Sequence, residues 1–191
     1  MTVPPHATAV LVGLRASGKS TVGAELAIRL GAVFHDLDDL ALECCPESDV
    51  ASVFRDRGEE AWREAETRAL ETGLAFPGSI LALGGGAPIV PAIRERLHEE
   101  RRSGRAVVFW LDAADVLLAD RIGAHDRHRP PLLEDASHRP LDPLEECHRL
   151  RTERAGFYRE LSDHLIDAGA STAEVVQQIL DSGTLEQGAT T

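Results

Sequence analysis

Short apolar runs alternate with longer stretches in which apolar residues recur every three or four positions. The first pattern is typical of buried strands, and the second is typical of helices with one buried face. We therefore predict strands at 7–12, 32–35, 79–83, 106–111 and 164–167. Helices are predicted at 19–30, 50–75, 91–102, 112–122, 143–161 and 171–180, the second with a break near Gly58 and a stop at Gly73. This alternation predicts an α/β fold with a parallel sheet covered by helices on both faces.

One polar segment departs from the alternation. Residues 123–143 contain prolines and are too many for a simple connector. The length of 191 residues suits one domain with its own core and is too short for two ordinary domains. We expect a single domain over 1–182 and a frayed tail over 183–191.

Charge and composition exclude several classes of protein. The chain carries 32 acidic and 20 basic side chains, a net charge of −12, which argues against sequence-independent binding to nucleic acid. No apolar run is long enough to span a membrane, and no basic-then-apolar segment follows Met1, so we expect neither a membrane partner nor a secretory signal. The odd count of three cysteines suits a reducing cytoplasm, which is where we expect the protein.

A phosphate-binding loop follows the first predicted strand. Residues 13–20 read GLRASGKS and fit the pattern G-x-x-x-x-G-K-[ST] in full. Gly13 and Gly18 let successive backbone N–H groups turn toward phosphate oxygens. Lys19 reaches the β- and γ-phosphates, and the Ser20 hydroxyl enters the Mg²⁺ shell. The alternative is a chance match, but the motif has the strand before it and the helix after it that it requires. The sequence predicts binding of a nucleoside triphosphate.

Three later segments carry candidate chemistry, and each also has a plain structural interpretation. Paired aspartates in 34–39 follow the second strand, where ligands bind in α/β sheets, although Asp36, Asp38 or Asp39 could equally cap a helix. The charge-dense segment 54–66 taken alone indicates a solvated helix face. The glycines at 84–86 allow backbone N–H groups to approach an anion closely, but they could form an ordinary turn.

Taken in order, these motifs resemble the shikimate kinase family over about residues 10–167. The motifs are GLRASGKST, F-x-D-x-D, F-x-x-x-G-E-x-x-W-R-x-x-E, LALGGG, a basic proline-containing stretch and R-x-x-F-Y. The resemblance implies a P-loop NTPase fold of the nucleoside-monophosphate-kinase type, with a helical substrate-binding region at about 36–75 and a lid at about 123–141. It also implies transfer of the γ-phosphoryl group of ATP, with Mg²⁺, to the 3-hydroxyl of shikimate on the route to aromatic amino acids. We expect a monomer with this small molecule as its partner.

The resemblance also implies roles around the nucleotide. Lys19 and the lid residue Arg129 are expected to be catalytic and to neutralise charge on the transferring group, with Arg139 as the alternative lid arginine because Arg-Pro-Leu occurs a second time there. Ser20 is expected to bind Mg²⁺ directly and Asp36 through water. The residues expected to bind the nucleotide are Gly13, Ala16, Ser17, Gly18, Lys19, Ser20, Thr21, Arg121 near the adenine, and Arg129.

On the acceptor side, the third expected catalytic residue is Asp38, which orients the attacking 3-hydroxyl and takes its proton. Arg63 and Arg154 are expected to clamp the shikimate carboxylate, because arginine is a planar bidentate donor. Glu66 positions Arg63 or a substrate hydroxyl, and the glycine triple Gly84, Gly85 and Gly86 supplies a backbone N–H from its second or third member. The alternative is that Arg63, Glu66 and Arg154 form surface ion pairs of little energetic value.

The sequence departs from the family pattern at a few positions. Ala16 stands where the family often has glycine, Trp62 replaces the usual phenylalanine, and 168–170 lack the basic residue often found beside the adenine. A related small-molecule kinase, such as a gluconate kinase, and a non-catalytic sensor of ATP or shikimate remain the alternative functions.

Overall fold

Five parallel strands form the centre of the structure, a computed structural model that describes residues 7–125, 133, 137 and 139–185. They lie in the order β2-β3-β1-β4-β5, and the register places Val10 beside Leu81 on one side and Val108 on the other. The strands are β1 (Thr8–Val12), β2 (Phe34–Asp36), β3 (Ile80–Ala82), β4 (Ala106–Asp112) and β5 (His164–Asp167). The predicted α/β fold with a parallel sheet is confirmed.

Helices flank this sheet. In the described residues they are α1 (Lys19–Leu30), α2 (Leu37–Glu43), α3 (Val50–Leu74), α4 (Pro91–Arg102), α5 (Asp115–His125), α6 (Pro143–Leu161) and α7 (Thr172–Asp181), with a short 3₁₀ turn at Ala87–Ile89. α1 packs against α7, and α4 packs against both α3 and α6. No helix in the described part of the chain is long and apolar enough to cross a membrane.

The core is aliphatic and centres on the strands. Every residue of β1 is buried, and Val22 and Leu26 pack the buried face of α1 onto the sheet. The burial of such side chains, at about 25 cal/mol per Å² of apolar surface, is the main force that holds the helices on the sheet. Because β2, β3 and β1 are parallel neighbours, their carboxyl ends lie at the same edge of the sheet, and the loops that follow them converge there.

Some element boundaries differ from those expected. The helix α2 is not among the helices predicted above. It begins after Asp36, whose side chain accepts a hydrogen bond from the Asp38 N–H, so the alternative that one of the aspartates caps a helix is confirmed for Asp36. The helix expected from Asp112 begins at Asp115 instead. Asp112 stays in β4, where its carbonyl accepts a hydrogen bond from the Ala168 N–H.

Glycines account for two features of α3. The break near Gly58 is confirmed, since that residue has φ 83° and ψ 170° inside the helix. The expected stop at Gly73 is wrong by one residue, because the helix continues to Leu74. A Cβ on Gly73 would lie 2.8 Å from Leu81 Cδ1, so this glycine serves the close packing of helix on sheet.

Most of the predicted lid lies outside the described residues. Residues 126–132, 134–136 and 138 belong to this part, among them Arg129, and so do residues 186–191 of the predicted tail. Arg139 is described and is exposed.

Candidate active site

The phosphate loop joins β1 to α1 and takes its shape from two glycines. Gly13 has φ 148°, and a Cβ there would lie 2.9 Å from Ser17 Oγ. Gly18 has φ 93° and is the N-cap of α1, with no side chain bonded to the first helical N–H groups. Those N–H groups and the positive end of the helix dipole form an anion-binding site.

Ala16 is the one non-glycine residue in the described chain with a positive φ, at 61°. This left-handed conformation costs an L-residue about 1–2 kcal/mol, whereas glycine adopts it without that cost. The alanine in place of the family's glycine is therefore accommodated with backbone strain.

Lys19 and Ser20 begin α1 at the mouth of this loop. Lys19 Nζ donates hydrogen bonds to the carbonyls of Gly13 at 3.0 Å and Leu14 at 2.8 Å, so its ammonium lies over the loop. The Ser20 hydroxyl donates to Asp36 Oδ2 at 2.6 Å. A hydroxyl beside a carboxylate is the oxygen donor set that Mg²⁺ prefers. Asp36 thus caps α2 with one carboxylate oxygen and faces Ser20 with the other.

One cleft connects the phosphate loop to the aspartates and the glycine triple. Its volume is about 200 Å³. The residues that line it are Arg15, Ala16, Gly18, Lys19, Ser20, Thr21, Asp36, Asp38, Leu83, Gly84 and Gly85. Asp38 therefore shares a cavity with Lys19, as the expected transfer between nucleotide and acceptor requires.

Three of the residues expected to bind the acceptor converge on the glycine triple. A Cβ on Gly84 would lie 2.6 Å from both Asp38 Oδ1 and Glu66 Oε1. A Cβ on Gly86 would lie 2.6 Å from Arg63 Nη1. Three charged side chains from α2 and α3 thus occupy the space that side chains at 84–86 would fill.

Arg63 and Glu66 form an ion pair on α3 that turns toward the triple. Arg63 Nη1 donates to Glu66 Oε2 at 2.7 Å, and its other nitrogens bind the exposed Glu59. Glu66 has 0% of its surface exposed, and burial raises its pKa to about 7, with a further rise from the Asp38 carboxylate and an opposing effect of Arg63. The buried Trp62 side chain lies beside Glu66 and also opposes the rise in its pKa.

Arg154 lies on α6, one turn before Tyr158, whose hydroxyl bonds the Gly85 carbonyl. It is 8% exposed, and its Nε is buried with no hydrogen-bond partner in the described structure. The alternative of surface ion pairs is therefore wrong for Glu66 and Arg154, and it holds for Arg63 only in its contact with Glu59. A buried guanidinium with an unpaired N–H is suited to bind an anion.

Arg121 bridges the other side of the phosphate loop. Its Nη1 donates to the Ala16 carbonyl at 3.3 Å, and its Nη2 donates to the Ala168 carbonyl at 3.0 Å. It therefore joins the loop to the segment 168–170, the place expected for the adenine.

Three contacts at the site were not anticipated from the sequence. The Tyr158 hydroxyl donates to the Gly85 carbonyl at 2.6 Å. Arg15 Nη1 donates to Glu146 Oε1 at 3.1 Å in a buried ion pair, and Glu146 Oε2 accepts from the Leu133 N–H at 3.2 Å. The motif R-x-x-F-Y ends in Tyr158 and could have pointed to it. No local pattern joins Arg15 to a residue 131 positions away.

Comparisons with known proteins agree with this geometry. A family model described as shikimate kinase matches residues 15–183. The shikimate kinase of Dechloromonas aromatica is 36% identical over 180 residues, which cover 94% of this chain and 91% of that protein. The shikimate kinase of Symbiobacterium thermophilum is 37% identical over 173 residues, 90% of this chain and 93% of the relative. A solved structure of shikimate kinase from Acinetobacter baumannii in complex with shikimate has a TM-score of 0.80 and 29% identity, covering 95% of this chain and 96% of that one.

Proposed function

The chain belongs to the shikimate kinase family, and we propose that it transfers the γ-phosphoryl group of ATP to the 3-hydroxyl of shikimate. The observation that carries this proposal is the shared cleft, in which Asp38, Gly84 and Gly85 face the phosphate loop. The hydroxyl oxygen attacks the γ-phosphorus, and the bond from that phosphorus to the β,γ-bridging oxygen breaks. The products are shikimate 3-phosphate and ADP.

The phosphate loop binds the triphosphate of ATP in this proposal. Its N–H groups and the N-terminus of α1 bind phosphate oxygens, while the Lys19 ammonium, held beside the Gly13 and Leu14 carbonyls, lies within reach of the terminal phosphates. Arg121 borders the adenine through its bridge between Ala16 and Ala168. Phosphoryl transfer needs little covalent help from the protein, so these residues act by positioning and charge neutralisation.

Mg²⁺ fits beside Ser20 and Asp36, because a hydroxyl and a carboxylate lie 2.6 Å apart there, next to the loop. When bound, the ion neutralises charge that develops on the β- and γ-phosphate oxygens. Ser20 would contact it directly, and Asp36 would act through a water. Asp36 is held in place for this by its cap on α2.

The acceptor would lie against the glycine triple. Arg63 and Arg154 bind its carboxylate, Glu66 holds Arg63 through their ion pair, and a backbone N–H of the triple adds a further donor. Asp38 accepts hydrogen bonds from the acceptor hydroxyls, orients the attacking oxygen and takes its proton. The proton of the 3-hydroxyl thus passes to a carboxylate as the new P–O bond forms.

The lid at about 123–141 supplies the last cation. Arg129 is the proposed lid residue that stabilises the transferring group on closure, and Arg139 is the alternative. Arg129 lies outside the described residues. Within the segment proposed as the lid, the Leu133 N–H donates a hydrogen bond to Glu146 Oε2 on α6.

We propose further that the protein acts as a monomer in the cytoplasm. The three cysteines are free thiols, as suits a reducing compartment. The net charge of −12 makes nucleic acid an unsuitable partner.

An assay of acceptor specificity tests the proposed function. Purified protein with Mg·ATP is offered shikimate, gluconate and nucleoside monophosphates, and ADP release is coupled to NADH oxidation. Turnover with shikimate alone is expected, and Lys19→Ala, which removes the ammonium over the loop, is the inactive control. Turnover confined to another acceptor would overturn the substrate. Binding of shikimate and ATP without turnover would instead identify a sensor.

A further inference from the structure

Tyr158 is the sole tyrosine of the chain and lies on α6 with 1% of its surface exposed. Its hydroxyl donates to the Gly85 carbonyl at 2.6 Å, a contact between residues 73 positions apart. The Arg154 side chain lies beside the same hydroxyl, one turn earlier on α6, and its charge opposes the rise in the pKa of Tyr158. One buried oxygen therefore lies between an arginine and the backbone of the glycine triple.

The bond to Gly85 fixes the direction of a neighbouring donor. The Gly85 carbonyl and the Gly86 N–H belong to one trans peptide, so they point in opposite directions. Among the described residues, the Gly86 N–H makes no hydrogen bond. By holding the carbonyl, the Tyr158 hydroxyl turns the Gly86 N–H away from α6. The Arg63 guanidinium occupies the space that a Cβ on Gly86 would take.

The hydroxyl also borders a second donor, the Arg154 guanidinium. A guanidinium has five N–H groups in a rigid fork, so a polar neighbour on one side sets the direction of the N–H groups on the other. The buried Arg154 Nε has no protein partner in the described part of the chain.

The hydroxyl remains a donor throughout the working range of pH. Burial raises the pKa of Tyr158 to about 12, although the neighbouring arginines oppose this rise. The proton that bridges to Gly85 is therefore present at any pH at which the enzyme is folded and active.

We propose that Tyr158 is a positioning residue of the acceptor site, whose hydroxyl holds the Gly85–Gly86 peptide and the Arg154 guanidinium in the arrangement that binds the acceptor carboxylate. This inference rests on the proposed function. Tyr158 touches neither reactant. It acts through the two groups that it orients.

The ring of Tyr158 has a separate, structural role. It packs against Trp110, with ring centroids 5.8 Å apart and an angle of 45° between the planes. A change to phenylalanine keeps this packing and removes only the hydroxyl. The role of the hydroxyl can therefore be measured apart from that of the ring.

The experiment compares wild type, Tyr158→Phe and Trp110→Phe. We expect Tyr158→Phe to raise the KM for shikimate about tenfold, the equivalent of one hydrogen bond, with kcat and the KM for ATP within about twofold of wild type. Trp110→Phe loosens the same packing but leaves the hydroxyl bond in place. It should lower the midpoint of urea unfolding and leave both KM values unchanged.

The other possible outcomes distinguish a failure of this inference from a failure of the proposed function. If Tyr158→Phe lowers only the unfolding midpoint, as Trp110→Phe does, Tyr158 is structural and the inference is wrong. If wild type binds shikimate by calorimetry without phosphorylating it, the proposed function fails, and the dissociation constants of wild type and Tyr158→Phe still judge the inference. If wild type does not bind shikimate at all, both are overturned.

Discussion

The stability of this protein should fall as the pH rises through the range in which Glu66 ionises. Glu66 is buried beside Arg63 and near Asp38, and its pKa rises from 4.5 to about 7 in the folded chain. Between these values the folded state keeps a proton that the unfolded state has released. Stability therefore declines with pH in this window, since the free energy of unfolding falls wherever the folded state binds more protons.

The magnitude follows from the shift. A difference of about 2.5 between the two pKa values, at 1.36 kcal/mol for each, amounts to roughly 3 kcal/mol of unfolding free energy. This contribution to the free energy of unfolding is fully present below about pH 4.5 and fully lost above about pH 7. Glu66→Gln keeps the shape of the side chain but cannot ionise, so the variant should lack this decline.

Urea unfolding of wild type and Glu66→Gln at several pH values between 4.5 and 8 measures the effect directly. The stability of wild type relative to the variant should fall by roughly 3 kcal/mol across the window. Glu64→Gln makes the same change at an exposed position of α3 and should follow wild type at every pH. Parallel curves for wild type and Glu66→Gln would refute the reasoning, because they would mean that burial does not hold the proton on this carboxyl.

Three further changes test the geometry of the cleft. Ala16→Gly should raise the free energy of unfolding by up to about 1 kcal/mol in urea, because it relieves the positive φ of 61°. Glu146→Gln should lower it by about 3 kcal/mol, because it removes the charge that faces the buried Arg15 guanidinium. Gly86→Ala should raise the KM for shikimate at least about tenfold with the KM for ATP unchanged, because the new Cβ displaces Arg63.

A matched change elsewhere controls for each of these substitutions. Ala24→Gly, at an exposed position inside α1, should cost about 1 kcal/mol, and an equal loss from the glycine in the phosphate loop would contradict the strain there. Glu145→Gln removes a half-exposed pair and should cost at most about 1 kcal/mol, so equal losses at both glutamates would argue against a buried pair. Gly156→Ala adds a Cβ into open space, and a matching rise in KM there would count against displacement of the arginine.

The sheet was predictable because its signals are local. The strand β1 and its neighbour β4 are short, almost wholly apolar runs, and only burial on both faces explains such runs in a chain that is otherwise rich in charge. The phosphate loop has an equally local cause, since its glycines are needed at positive φ by the turn itself. Where the cause of a feature lies within about ten residues, the sequence was sufficient.

Features that depend on residues far apart in the sequence were harder to predict from it. Asp36 caps α2 with one carboxylate oxygen and accepts a hydrogen bond from Ser20 with the other. The sequence shows the aspartate but does not show whether it caps a helix, contacts the phosphate loop or does both. The Arg15–Glu146 pair joins the phosphate loop to α6 and has no sequence signal at all. Its existence follows only from the packing that brings the two elements together.

The burial of Glu66 has a signal in the sequence, its position on the apolar stripe of α3, but the surrounding charge favoured a different interpretation. The segment 54–66 is dense in charge, which favours a solvated face, yet Glu66 lies midway between the buried residues Trp62 and Leu70 at intervals of four. A charge on the apolar stripe of a helix must meet either a partner or a space that tolerates it. Here it meets both, because Arg63 pairs with it and the glycines at 84–86 leave the room that side chains would have taken. The absence of side chains at the triple is therefore what allows this helix to bury charge, and the proposed acceptor site depends on that missing volume.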